Sequence, residues 1–227
     1  YHDRSDSEIA RMVEAADARM PEITRLFGIE SQREFKAVIV NSSGEASRAF
    51  PTTTKAAEEG HYFAGFAFGE FDQFVLWGVN PSSFVHELAH LIFSEAVPSP
   101  LATAPSWLNE GLAVYFESGS GASASARLGN RSNPDDFDAI RTMNRIPGLR
   151  SDIGRFYAKA GSFVTLMIDT YGVGTMTDLL QELNTGTRIG PAIEKVYERS
   201  LDRLDQEWNF ALFDIPIPEP APDIALS

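Results

Sequence analysis

Apolar residues at Ile9, Met12, Val13, Ala16, Met20, Ile23 and Phe27 recur at helical spacing, and Gly28 stands where a C-terminal cap belongs. A helix is predicted over Ser7–Phe27. Phe35–Val40 is short, β-branched and followed by "NSSG", which reads as a strand ending in a turn. Tyr62–Phe68 and Gln73–Trp77 are rich in aromatic and aliphatic residues and separated by "GEFD", the pattern of a hairpin. "NPSS" then offers turn and N-cap chemistry ahead of an apolar run with helical spacing, Phe84–Ser94, which stops before Pro98 and Pro100. A further helix begins near Ser106 and runs through "WLNEGLAVYFES".

Residues 118–136, "SGSGASASARLGNRSNPDD", are small, polar and glycine-rich, which reads as a loop: either a solvated insertion or a functional lid. Ile153–Tyr171, Met176–Leu183 and Pro191–Phe213 return to helical spacing, the last with Leu201, Leu204, Trp208 and Leu212 on one face. The ending "IPIPEPAPDIALS", residues 215–227, alternates proline over part of its length and reads as an extended tail. The fold class expected is α+β. A small mixed sheet lobe with a packed helix (1–80) precedes a mostly helical lobe (81–214), and the two together form one domain.

Composition narrows the function. The 227 residues carry a formal charge of −13, which repels nucleic-acid phosphates and anionic lipid heads, so no nucleic-acid partner is expected. The apolar runs are too short and interrupted for a transmembrane segment. There is no cysteine, so any metal must be held by nitrogen and oxygen. A start at Tyr1 rather than methionine suits a processed protein or an excised piece; it favours an exported location, secreted or periplasmic, over the cytoplasm, with the compartment otherwise open.

Two of only four histidines fall in "FVHELAHLIF", residues 84–93. His86 and His90 are four apart, so on a helix they share a face, with Cβ atoms about 5–6 Å from each other, and can converge on one ion. Glu87 lies about 100° further round, beside the ion rather than on it, where a carboxylate can take a proton from water. A catalytic zinc site needs a third protein ligand and an open fourth position. "LIFSEAVPSPLATAPS" holds no histidine, which leaves a carboxylate. Glu110 lies between Leu108 and Leu112 on an otherwise apolar helix, where a negative charge is costly unless a cation offsets it. Glu95 and Glu117 are weaker competitors, the first too close to the histidine helix and the second two turns past Glu110. His2 and His61 have no partners at ligand spacing, and Glu70 and Asp72 read as ordinary turn acids or a calcium contact.

"HELAH" followed by "WLNEGLA" resembles the gluzincin metallopeptidases, and is similar to their aminopeptidase branch and its small peptidase-MA-like relatives over about residues 84–117. The resemblance implies that His86, His90 and Glu110 are Zn2+ ligands and that Glu87 is the general base. It also implies a role for Tyr157. "FYAKAGSF" is similar to the Tyr-x-Lys-Gly setting that precedes a helix in those enzymes and supplies an oxyanion donor, although Ala160-Gly161 reverses the order of small residues. The bottom-up alternative is an ordinary amphipathic tyrosine at a helix start; Tyr115 and Tyr171 are weaker candidates for the donor. No Gly-x-Met-x-Asn segment precedes the histidine helix, so specificity for a free amino terminus does not carry over, and endo- against exopeptidase action stays open. "QFVLWG" is placed like the gluzincin edge strand, which pairs with an extended peptide, or is a plain half-buried strand.

The function expected is zinc-dependent hydrolysis of peptide bonds in a peptide or protein substrate. The alternative is a non-catalytic, zinc-containing protein-binding module with a vestigial peptidase site.

Overall fold

The computed structural model describes residues 4–49, 65–117, 119, 122–129 and 133–218, and within them the architecture is α+β: a three-stranded sheet with helices packed on it, followed by a helical half. His2, His61, Tyr62, Phe63 and residues 219–227 of the tail lie outside the described residues.

Helix α1 spans Asp6–Phe27. Ser5 caps it in a reciprocal capping box with Glu8, and Gly28 ends it in the left-handed conformation at φ 68°. Strand β1, Lys36–Val40, follows, and the expected "NSSG" turn instead opens a short helix, α2, Ser43–Ala49. Strands β2, Gly65–Phe68, and β3, Gln73–Trp77, form the expected hairpin, joined by a 3-10 turn that closes on Asp72 at φ 49°.

The sheet order is β1-β3-β2, with β3 parallel to β1 and antiparallel to β2. This corrects one expectation: "QFVLWG" is the central strand, not an edge. Phe74, Val75 and Leu76 are consecutive and all buried, because both faces are covered: Phe74 and Leu76 join the main core, while Val75 packs with Val40, Ala49 and Phe68.

Helix α3 spans Pro81–Ala96 and starts earlier than the apolar run, since Asn80 accepts hydrogen bonds from the Ser82 and Ser83 amides and Pro81 takes the first turn. It packs on α1 and the hairpin. After the proline-rich connection α4 spans Ser106–Glu117, with Trp107, Leu108, Leu112 and Phe116 fully buried.

The glycine-rich segment is not a plain loop: it contains a helix, α5, Ala124–Leu128, capped by Ser123 and anchored by buried Ala124 and Leu128, and a 3-10 turn at Pro134–Asp136. Helix α6, Arg150–Tyr171, lies against α4 and α5. Helix α7 spans Val173–Asn184. The last apolar stretch is two helices, α8 Ile189–Tyr197 and α9 Leu201–Phe213, broken where Glu198 takes φ 53° and Ser200 caps the next turn. Among the described residues no helix is long and apolar enough to cross a membrane.

Candidate metal centre

Helix α3 carries His86, Glu87 and His90, and α4 carries Asn109, Glu110 and Glu117. The two helices pack against each other, so the facing turns meet. The Nε2 atoms of His86 and His90 are 3.2 Å apart, and Glu110 Oε2 lies 3.4 Å from the first and 3.3 Å from the second. Four ligands held at about 2.0–2.1 Å at the corners of a tetrahedron stand roughly 3.3–3.4 Å from one another. The triangle therefore has the dimensions of one tetrahedral face. Among the described residues these three side chains form the one histidine–acid group close enough to hold an ion.

Hydrogen bonding sets the tautomers. His86 Nδ1 is 3.1 Å from Glu117 Oε2, and His90 Nδ1 is 3.0 Å from Asn109 Oδ1. Both partners are acceptors, so each Nδ1 carries the hydrogen and each Nε2 turns a lone pair inward. Glu110 Oε2 is buried and makes no hydrogen bond of its own. Three electron-rich atoms facing one point repel unless a cation sits among them, and the donor set of two imidazoles and a carboxylate suits zinc.

The charges of the protein itself express the same demand for a cation. Burial works to lower the proton affinity of His86, but contact with Glu110 and Glu117 overcomes it and pushes His86 up to about 10. His90 is raised against burial by Glu110. Glu110 is held well below the usual carboxylate range by the two histidines, although burial opposes this.

Glu87 is 5% exposed and outside the triangle. Burial pushes its carboxyl above the usual range, against the pull of His90 and His86. Its side chain lies on Gly65 of β2: a Cβ there would stand 2.6 Å from Glu87 Cγ and 2.7 Å from Oε1. Tyr157 is inside α6, not before it, and its ring centroid is 6.1 Å from that of His86. Burial, with the negative charges of Glu110 and Glu87, raises its hydroxyl well above the ordinary range, so it stays protonated and able to donate.

The remaining sequence candidates point elsewhere. Glu95 accepts from Ser31 at 2.6 Å, and Asp72 pairs with Arg33 at 2.7 Å. Tyr171 donates to Glu207, and Tyr115 packs under Arg127. Lys159 turns away from the triangle: it is 2% exposed, 2.7 Å from Asp205 and 4.3 Å from the Trp208 ring centroid.

Sequence reasoning misses Asn109 and Gly65, and weighs Glu117 only as a weaker rival for the ion, not as the partner of His86 Nδ1. The orienting role of Glu117 could have been found, because seven residues after Glu110 is two helical turns on the same face. Gly65 carries no local signal, since its contact with Glu87 crosses from strand to helix.

No curated protein matches this chain. The family model of the peptidase MA superfamily matches residues 59–214, which include the hairpin, both helices of the triangle and α6. With that match over more than half its length, the chain belongs to the peptidase MA superfamily, a peptidase-type assignment.

Proposed function

We propose that this chain is a zinc-dependent peptidase of the gluzincin type, with His86, His90 and Glu110 as metal ligands, Glu87 as general base and Tyr157 as oxyanion donor. The observation that carries the reading is the triangle of 3.2, 3.3 and 3.4 Å edges, oriented through Glu117 and Asn109, with a buried carboxylate one residue from its first histidine.

Zn2+ held by the three side chains supplies a Lewis acid that acidifies water and polarises a peptide carbonyl. Glu87 accepts a proton from the attacking water as its oxygen bonds to the carbonyl carbon. The same carboxyl then delivers that proton to the amine nitrogen as the C–N bond breaks. Its raised proton affinity suits this two-way transfer. Tyr157 donates a hydrogen bond to the carbonyl oxygen as that oxygen gains negative charge, at no cost in buried charge of its own. Among the described residues β2 pairs with β3 alone and flanks Glu87 at Gly65, which supports an extended substrate laid along β2.

The competing reading, a zinc-containing binding module, has no use for Glu87, and a structural site would close all four positions with protein atoms. Digestion of a broad peptide library tests both. Cleavage that chelation abolishes and zinc restores, and that Glu87→Gln eliminates with zinc stoichiometry intact, is the expected result. Turnover retained in Glu87→Gln would remove the base, and no cleavage by the zinc-loaded native chain would favour the module.

A further inference from the structure

Helix α4 ends at Glu117, and the last carbonyls of a helix lie beyond the reach of its own amides and need partners from outside it. Arg127, on α5, takes this role. Its Nη1 donates to Val114 O at 2.6 Å, and its Nη2 donates to Tyr115 O at 3.0 Å and to Gly119 O at 2.7 Å. The Phe116 carbonyl accepts from the Gly119 amide at 3.1 Å. One guanidinium therefore ties the chain on both sides of Glu117, and its charge sits at the negative end of the helix dipole.

Glu117 needs such anchorage. Its side chain is 34% exposed, against 13% for His86, so water competes for the carboxylate that orients the imidazole. Arg127 is itself secured, with its guanidinium 5.2 Å from the Tyr115 ring centroid and its helix capped by Ser123. Its positive charge and the carboxylate of Glu117 also attract each other.

We propose that Arg127 is a positioning residue for the metal centre: by clamping the end of α4 it holds Glu117 on His86 Nδ1, and so keeps His86 Nε2 aimed at the ion. Helix α5, within the segment that reads in sequence as an insertion or lid, thus serves as an internal brace. The proposal rests on the reading of the triangle as a zinc site.

Zinc affinity, measured by competition with a chromogenic chelator, tests it in a double-mutant cycle. Glu117→Gln should weaken zinc about 10- to 100-fold, the usual cost of losing a partner to a ligating histidine. Arg127→Ala should weaken it by a smaller factor, on the order of tenfold or less, and the double variant should bind no more weakly than Glu117→Gln. Arg127→Lys should resemble Arg127→Ala, because one ammonium cannot span three carbonyls in the geometry of the fork.

Unchanged affinity in a folded Arg127→Ala, factors that simply multiply in the double variant, or full recovery by lysine would each overturn the clamp while leaving the zinc site standing. A native chain that takes up no zinc would overturn both. Arg127→Met, which keeps the apolar stem, serves if the alanine variant does not fold. Circular dichroism of each variant separates loss of fold from loss of aim.

Discussion

The Cα of Gly111 lies against the backbone of Ala160: a Cβ at position 111 would stand 2.6 Å from the Ala160 carbonyl oxygen. One turn on, Gly161 faces Val114 in the same way, with a Cβ placed 2.5 Å from Val114 Cγ1. These two close approaches let α4 and α6 cross tightly, and they bring Tyr157 to the helix that carries Glu110. They also account for the Ala160-Gly161 order, which departs from the sequence pattern the segment otherwise resembles. Gly111→Ala should separate the helices and cost about 1–3 kcal/mol by overpacking, read from denaturant unfolding. Gly161→Ala should cost less, because a Val114 methyl can turn aside where a backbone carbonyl cannot.

Removing the donor should separate chemistry from metal binding. Tyr157→Phe is expected to lower kcat about 100- to 1,000-fold, the usual loss for one oxyanion donor, with zinc content unchanged. Steady-state kinetics beside metal analysis reads the two together, and a kcat within twofold of native would dismiss the role.

Gly65→Ala should act on the base. The new methyl would need space held by Glu87 Cγ and Oε1, so the carboxyl must swing away. A displacement of about 1 Å can cost on the order of 100-fold in rate, so kcat should fall while zinc affinity holds. Loss of zinc instead would mean that the strand, not the carboxyl, had moved.

Chelation should destabilise the fold, since an ion bound only by the native state stabilises it by mass action. At a free concentration about a thousandfold above Kd the contribution is roughly 4 kcal/mol. Thermal unfolding with and without zinc measures it, and coincident transitions would argue that the triangle holds no ion.

The alkaline limb of stability should be governed by tyrosines of the helical half. Tyr171 is raised to about 12, by burial first and then by Glu207, and Tyr197 is raised further by burial. Raised folded values mean that the unfolded chain ionises first, near pH 10, so this contribution is intact below pH 10 and lost as pH climbs towards 12. Tyr197→Phe should flatten that decline. It should also leave stability at neutral pH unchanged or higher by up to about 1 kcal/mol, because the Tyr197 hydroxyl is buried without a partner. Unfolding midpoints between pH 8 and 12 give the answer.

What could be read in the sequence was local. The spacing of His86 and His90, and the placement of Glu110 among leucines, point to side chains that the structure brings within 3.4 Å. The Gly28 cap of α1 and the hairpin were legible for the same reason, since their partners lie a few positions away. Non-local terms decided the rest. The parallel pairing of β1 with β3 makes "QFVLWG" central, and nothing in either strand's own pattern declares it. Helix α5 hides among serines, glycines and alanines because its stability comes from packing against α6 and from Arg127, not from its own propensity. The break between α8 and α9 turns on one non-glycine residue, Glu198, in a conformation its side-chain type does not advertise.

All the atoms of the triangle and its two orienting acceptors come from residues 86–117, a helix pair contiguous in the chain, whereas Tyr157 arrives on a different helix through the glycine crossing. If the proposed function holds, capture of the ion and turnover of a peptide are thus separable inheritances. On the proposed reading, loss of the Tyr157 hydroxyl alone would leave a faithful metal holder with little hydrolytic power, so a descendant of this fold can retire from catalysis without surrendering its ion.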